Sequence, residues 1–134
     1  MHAERTHFRE AMSVSPDHAV PPVLDRAALA LLVANDAGAE RRLLEEFRRA
    51  HSRDLQNLIE ALDSREPIRI ARAGHRIIGA CRIAGAYALC RACERILDVV
   101  DASDWTQVDA LRGIIAVEQA RLDDCLDELI GVAS

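Results

Sequence analysis

Apolar residues recur at intervals of three and four along most of the chain, a spacing that is typical of amphipathic helices. The pattern predicts four long helices, with these apolar stripes: Leu44, Phe47, His51, Leu55, Leu58 and Leu62; Ile70, Ala73, Ile77, Ala80 and Ala84; Leu89, Cys93, Ile96 and Val100; Trp105, Val108, Leu111, Ile115, Leu122, Cys125, Leu126 and Leu129. Pro67 suits the first turn of the second helix, and Gly85 marks its end. A short helix after Asp25 precedes these four, and the run from Asn35 to Gly38 interrupts it.

The connections between the long helices are short, so consecutive helices are expected to run antiparallel. The predicted fold is all-α: an up-down antiparallel four-helix bundle with a short leading helix, formed by residues 23–134. Residues 1–22 show no sustained periodicity and end in Pro21-Pro22, which predicts a flexible tail or linker.

Composition limits the compartment in which the protein works. The chain has 134 residues, enough for one domain. No apolar run approaches the roughly 18 residues of a membrane span, and the polar start, with charges of both signs, disfavours a signal peptide. The four cysteines, Cys81, Cys90, Cys93 and Cys125, are therefore expected to be reduced thiols in a cytoplasmic protein without direct membrane insertion.

Cys90-x-x-Cys93 lacks the second cysteine pair that a zinc site would need, so no metal site is predicted and the thiols are interpreted as core residues.

Positive charge is concentrated in one segment. The chain carries a net charge of −5, which disfavours nucleic acid as the partner, but residues 65–95 hold seven arginines against two acidic residues. This basic segment indicates either a docking site for an anionic group or protein face, or a set of arginines that pair with acidic residues of neighbouring helices. The sequence leaves both interpretations open.

His75 is the candidate nucleophile in this segment. On a helical wheel it projects away from the core stripe, with Arg72, Arg82, Gly79 and Ile78 beside it. A glycine inside a helix costs about 1 kcal/mol relative to alanine, and Gly79, one turn after His75, bares the backbone so that another surface can approach the imidazole. No Ser, Asp or Glu lies within one turn of His75, so any reaction must take its other groups from a partner. The alternative is an ordinary surface histidine.

The run His75-Arg76-Ile77-Ile78-Gly79-Ala80-Cys81, followed by Gly85-Ala86, Leu89 and Cys93, resembles the signature of histidine phosphotransfer (HPt) domains. The resemblance covers about residues 23–130. It implies a phosphorelay carrier in which His75 accepts a phosphoryl group, through Nε2, from an aspartyl phosphate of a receiver domain and passes it to the aspartate of another. It also implies no autonomous enzymatic activity, no cofactor bound by this domain, and an acidic pocket with Mg²⁺ supplied by the receiver.

Within that family, the arginine-rich variant is most similar to the C-terminal domains of hybrid sensor kinases of the bacterial virulence type. The expected partners are response-regulator receivers and, if the domain is part of a longer chain, a covalently linked sensor kinase. The Pro-containing residues 1–22 fit a free-standing carrier equally well.

Two positions depart from the family pattern. The family usually has Lys where this chain has Ile78, so we expect Arg72, Arg76 or Arg82 to supply the positive charge and Ile78 to add apolar docking surface. An acidic residue often stands where this chain has Leu97, and Asp98 is expected to replace it. The competing hypothesis is a degenerate bundle of this type that acts only as a protein-binding module.

Overall fold

The computed structural model describes residues 23–132, and this part of the chain contains five α-helices and no strand. They are α1 (Arg26–Leu32), α2 (Ala37–Asp63), α3 (Pro67–Ala84), α4 (Tyr87–Asp101) and α5 (Trp105–Ile130). The four long helices pack in the order α2, α3, α4, α5, and a contact between α2 and α5 closes the bundle. The predicted four-helix bundle with a leading helix is confirmed, whereas the predicted tail over residues 1–22 lies outside the described residues.

Local signals in the sequence fix where the helices begin and end. The side chains of Asp25, Asp36 and Asp104 each accept a hydrogen bond from the backbone N–H three residues later, at 3.0 to 3.1 Å. Pro67 occupies the first turn of α3 as expected. One boundary differs from the prediction: α2 begins at Ala37, so Gly38 lies within its first turn, and left-handed backbone at Ala34 and Asn35 makes the break instead.

The core is a single cluster of apolar, mostly aliphatic side chains from all five helices. Its completely or almost completely buried members include Leu29, Leu44, Leu58, Ile70, Ile77, Ile96, Leu111, Leu122 and Leu126. All of them except Leu29 of the short α1 lie on the predicted apolar stripes, so the helical period correctly identified the inward faces of the long helices.

Three of the four thiols belong to this core. Cys81, Cys90 and Cys93 are buried, and burial raises the pKa of the Cys93 thiol to about 12 and also raises that of Cys81. Residues 23–132 contain no group of His, Cys, Asp and Glu side chains that could hold a metal ion. The interpretation of the cysteines as core residues is confirmed for these three, and Cys125 is partly buried.

None of the helices within residues 23–132 combines the length and hydropathy needed to cross a membrane.

The surface around His75

His75 lies in the middle of α3 and is exposed. Ile70, Ala73 and Ile77 of the same helix are buried on the opposite side, so the predicted outward orientation is confirmed. The imidazole forms no hydrogen bond or ion pair with any residue of the 23–132 range, so both ring nitrogens are available to a partner.

The two glycines that bracket His75 have different roles. A Cβ atom added at Gly79 would meet no atom within 4 Å, so this glycine leaves open backbone beside His75, as the sequence predicted. Gly74, in contrast, is buried, and a Cβ there would lie 2.8 Å from Cδ2 of Leu97 on α4. Gly74 therefore serves the packing of α3 against α4, and only Gly79 opens the surface.

The expectation that Ile78 adds apolar docking surface is wrong. Ile78 is only 5% exposed and belongs to the core cluster, because α4 covers this side of α3. Its side chain lines a groove beside His75, but little of its surface is accessible to solvent. The residue at the usual lysine position therefore supplies neither charge nor an apolar surface for a partner.

The groove between α3 and α4 has a volume of about 340 Å³, and His75 stands on its edge. The α3 wall carries one basic residue, Arg82, and the α4 wall carries three carboxylates: Glu94, Asp98 and Asp101. Asp98, expected to replace the usual acid at Leu97, is exposed here, whereas Leu97 packs against Gly74. On this flank His75 thus faces an acidic wall.

This acidic wall is not among the features predicted from the sequence. A signal was present, since Glu94, Asp98 and Asp101 are spaced by four and three residues and so share one face of α4. Its relation to His75 depends on how α4 is rotated against α3, which the helical period of each helix does not give.

The arginines of the basic segment divide into two groups. The pairing interpretation is confirmed for Arg82, which contacts Glu94 of α4, whereas docking of an anionic group stays a prediction. Arg65 stacks over the Trp105 ring at 5.2 Å, Arg69 pairs with Glu66 at 3.1 Å, and Arg82 pairs with Glu94. Within residues 23–132, no carboxylate lies within ion-pair distance of the remaining four: Arg72, Arg76, Arg91 and Arg95.

Arg72 and Arg76 lie on α3 on either side of His75 in sequence, are exposed, and do not line the groove. The free positive charge near His75 therefore lies on the flank away from α4. The expectation that Arg72, Arg76 or Arg82 supplies positive charge at His75 stays a prediction, and on the groove side Arg82 is already paired with Glu94.

Chemically, the site offers one unengaged nucleophilic imidazole, open backbone one turn away and positive charge on one side. The groove carboxylates belong to α4, and the helix that bears His75 contributes no general base within one turn. Such a site can carry a group on nitrogen, but the residues that activate the transfer must come from another molecule.

Comparison with known protein families agrees with this geometry. The family model described as the Hpt domain matches residues 42–131, which span most of α2 and all of α3, α4 and α5. The chain therefore belongs to the Hpt domain family, whose members take part in phosphorelay phosphotransfer and interact with receiver domains. No curated protein and no solved structure gives a significant match.

Proposed function

We propose that His75 is the phosphorylated residue of a phosphorelay carrier, which accepts a phosphoryl group from the aspartyl phosphate of one receiver and passes it to the aspartate of another. The observation that carries this proposal is the exposed, unengaged imidazole of His75 beside the open backbone at Gly79. Arg72 and Arg76 add positive charge on the flank that faces away from the groove.

In the proposed step, the Nε2 lone pair of neutral His75 attacks the phosphorus atom of the aspartyl phosphate. The N–P bond forms as the P–O bond to the aspartyl carboxylate breaks, and the carboxylate leaves with the bonding electrons. The ring keeps its proton on Nδ1 and can release it to water. Transfer onward to a second receiver is the same reaction in reverse.

This mechanism requires groups that the bundle does not contribute near His75. The receiver is proposed to supply the acidic pocket and Mg²⁺, which neutralise the charge that develops on the transferred group. The bundle itself supplies the nucleophile, its orientation and a surface that admits the receiver, so it has no activity of its own.

The proposed partners are response-regulator receivers and, in the hybrid-kinase arrangement, a covalently linked sensor kinase. The proposed compartment is the cytoplasm, in which the domain works either as a free carrier or as the cytoplasmic end of a membrane-bound kinase.

The test is phosphoryl transfer from a panel of receivers that carry labelled phosphate, in the presence of Mg²⁺, to the wild type and to His75→Gln. We expect at least one receiver to label the wild type with an acid-labile, alkali-stable linkage, and His75→Gln to abolish the label. His18→Gln, which changes a histidine outside residues 23–132, is the control and should be labelled normally.

The binding-only alternative has a distinct result. A bundle that only binds would remain unlabelled by every receiver, and His75→Gln would leave its affinity for a partner unchanged. That pair of results would contradict the proposed function.

A further inference from the structure

In the part of the chain that the structure describes, Arg82 is the one arginine that lines the groove beside His75, and it pairs with Glu94 of α4. It lies two turns after His75 on the same face of α3, and its guanidinium contacts the Glu94 carboxylate across the groove. Side chains on a helix lean toward its N-terminus, so Arg82 projects back in the direction of His75. Among residues 23–132, the one arginine that lines the groove is therefore paired while His75 is unmodified.

The contact between Arg82 and Glu94 is exposed to solvent, so Arg82 can leave Glu94 for another anionic group at little cost. The two side chains are 61% and 38% exposed, and ion pairs at such positions contribute little to stability because water screens them. A phosphoryl group on Nε2 of His75 would introduce additional negative charge and three acceptor oxygens at the edge of the same groove. An arginine can donate two parallel hydrogen bonds to such a group, so phosphate is a strong competitor for Arg82.

The rest of the groove opposes the phosphoryl group. Asp98 and Asp101 extend the α4 wall beyond Glu94, so three carboxylates face the edge on which His75 stands. Their field would raise the free energy of a phosphorylated His75, whereas Arg82 would lower it once released from Glu94.

We propose that Glu94 is a positioning residue that sets the phosphoryl-transfer potential of His75 by competing with the phosphoryl group for Arg82. Holding Arg82 at Glu94 keeps phosphorylated His75 less stable, which favours onward transfer to a receiver over retention on the carrier. This inference rests on the proposed function, because it takes His75 as the phosphoryl acceptor.

The first measurement is the equilibrium partition of labelled phosphate between a receiver and His75, in the presence of Mg²⁺, for the wild type and Glu94→Gln. Because an exposed ion pair is being removed, we expect Glu94→Gln to increase the phosphorylated fraction of His75 about two- to fivefold relative to the receiver. Arg82→Gln should decrease it, and the double variant should behave like Arg82→Gln. Glu66→Gln, which breaks the comparable exposed pair with Arg69 on α3, is the matched control and should leave the partition unchanged.

The second measurement needs no receiver. Phosphoramidate transfers its phosphoryl group to an exposed imidazole and releases ammonia, and the lifetime of the resulting phosphohistidine is followed by phosphorus NMR. Hydrolysis is favoured by protonation of the imidazole leaving group, which a nearby guanidinium disfavours. We therefore expect a longer lifetime in Glu94→Gln and a shorter one in Arg82→Gln, with no change in Glu66→Gln.

Two results would overturn the inference. In the first, Glu94→Gln changes neither the partition of phosphate nor the lifetime of the phosphohistidine. In the second, Glu94→Gln increases the phosphorylated fraction equally in the wild type and in Arg82→Gln. If no receiver labels the wild type, the proposed function is wrong, whereas the phosphoramidate lifetimes still decide whether Glu94 acts through Arg82. Both pairs are exposed, so thermal unfolding should be nearly the same in all variants and would reveal any effect of misfolding.

Discussion

Two glycines five residues apart in α3 show how one residue type serves opposite purposes. At Gly74 the missing side chain lets Leu97 of α4 approach, and at Gly79 it leaves open space beside His75. Both look alike in the sequence, because each interrupts a helix that alanine would stabilise. The difference is set by the neighbouring helix, so it becomes visible only in the packed bundle.

We predict that alanine at these two positions changes stability differently. Gly79→Ala should stabilise the protein by about 0.5–1 kcal/mol, because it gains helix propensity and meets no neighbour. In Gly74→Ala the new methyl group displaces Leu97, so we expect this variant to be less stable than Gly79→Ala by about 1 kcal/mol or more. Urea denaturation measures both free energies of unfolding.

A background with Leu97→Ala provides the control, since it removes the side chain that Gly74→Ala would meet. There the two alanine variants should differ much less. An unchanged difference in that background would contradict the assignment of Gly74 to helix packing. In the relay, Gly79→Ala is expected to slow transfer from a receiver despite its greater stability, because the added methyl group covers the open backbone beside His75.

At the scale of elements, the turn between α3 and α4 fixes the position of α1. Gly85 has a φ of +82°, and its carbonyl accepts a hydrogen bond of 3.0 Å from the backbone N–H of Asp25. Asp25 in turn caps α1 through Ala28. A single turn therefore ends α3, starts α4 and holds the beginning of α1 against the bundle.

Gly85→Ala should destabilise the protein by more than about 2 kcal/mol, because the left-handed backbone and a close contact act together. The added Cβ would lie 2.8 Å from the backbone nitrogen of Asp25, which cannot move without breaking the hydrogen bond to residue 85. Chemical denaturation measures the loss in free energy of unfolding. The rate of amide hydrogen exchange should increase most in α1.

Gly85→Asn separates the two causes in that prediction. Asparagine adopts the left-handed backbone region more readily than alanine, but its Cβ would meet the same backbone nitrogen of Asp25 at 2.8 Å. We expect a loss of stability close to that of Gly85→Ala. A much smaller loss in Gly85→Asn would show that backbone strain alone explains the effect.

The elements could be predicted from the sequence because their signals are local. Asp25, Pro67 and Gly85 each act within one turn of chain, and the period of the apolar stripes identifies the inward face of each helix. The outward direction of His75 follows from the same period. These features need no knowledge of the neighbouring helices.

The burial of Ile78 and the acidic wall of α4 could not be predicted in this way. A helical wheel of α3 shows that Ile78 lies near His75, but it does not show that α4 covers that side. The pairing of Arg82 with Glu94 likewise depends on two helices that meet across a groove. The sequence therefore indicated the candidate nucleophile and its outward direction, while the surroundings of His75 required the packed structure.

At the scale of the whole molecule, the seam between α2 and α5 contains a buried histidine. His51, which lies on the predicted apolar stripe of α2, is 2% exposed and stacks on Phe47 at 5.3 Å. Its Nε2 lies 2.6 Å from Oε1 of Gln119. Burial lowers its pKa, and the bond to Gln119 and the charges of Asp123 and Asp54 only partly oppose this. The lowered pKa therefore favours the neutral form of the His51 imidazole in the folded protein.

Acidification should weaken the fold through His51. In the unfolded chain, His51 binds a proton below about pH 6.5. In the folded protein, the pKa of His51 is lower, so the same protonation requires a lower pH. The contribution of His51 to stability is therefore complete above pH 6.5 and is lost as pH falls, by at most about 1.4 kcal/mol per pH unit. Denaturation curves between pH 7.5 and pH 5, values within the range in which an unperturbed histidine titrates, measure this slope.

His51→Phe is the comparison protein for this prediction, since it keeps a flat ring against Phe47 and cannot titrate. The stability of the wild type should fall more steeply with acidification than that of His51→Phe. Parallel curves would contradict the assignment, because other titrating groups are common to both proteins.

The opposite charges on the two flanks of His75 also act before any contact is made. Arg72 and Arg76 lie on one side of the imidazole, and the carboxylates of Asp98 and Asp101 lie on the other. A partner with its own separated charges experiences a torque in this field and rotates toward one orientation while it is still diffusing. Orientation at a distance would then select the productive geometry, and added salt would weaken that selection by shortening the range of the field.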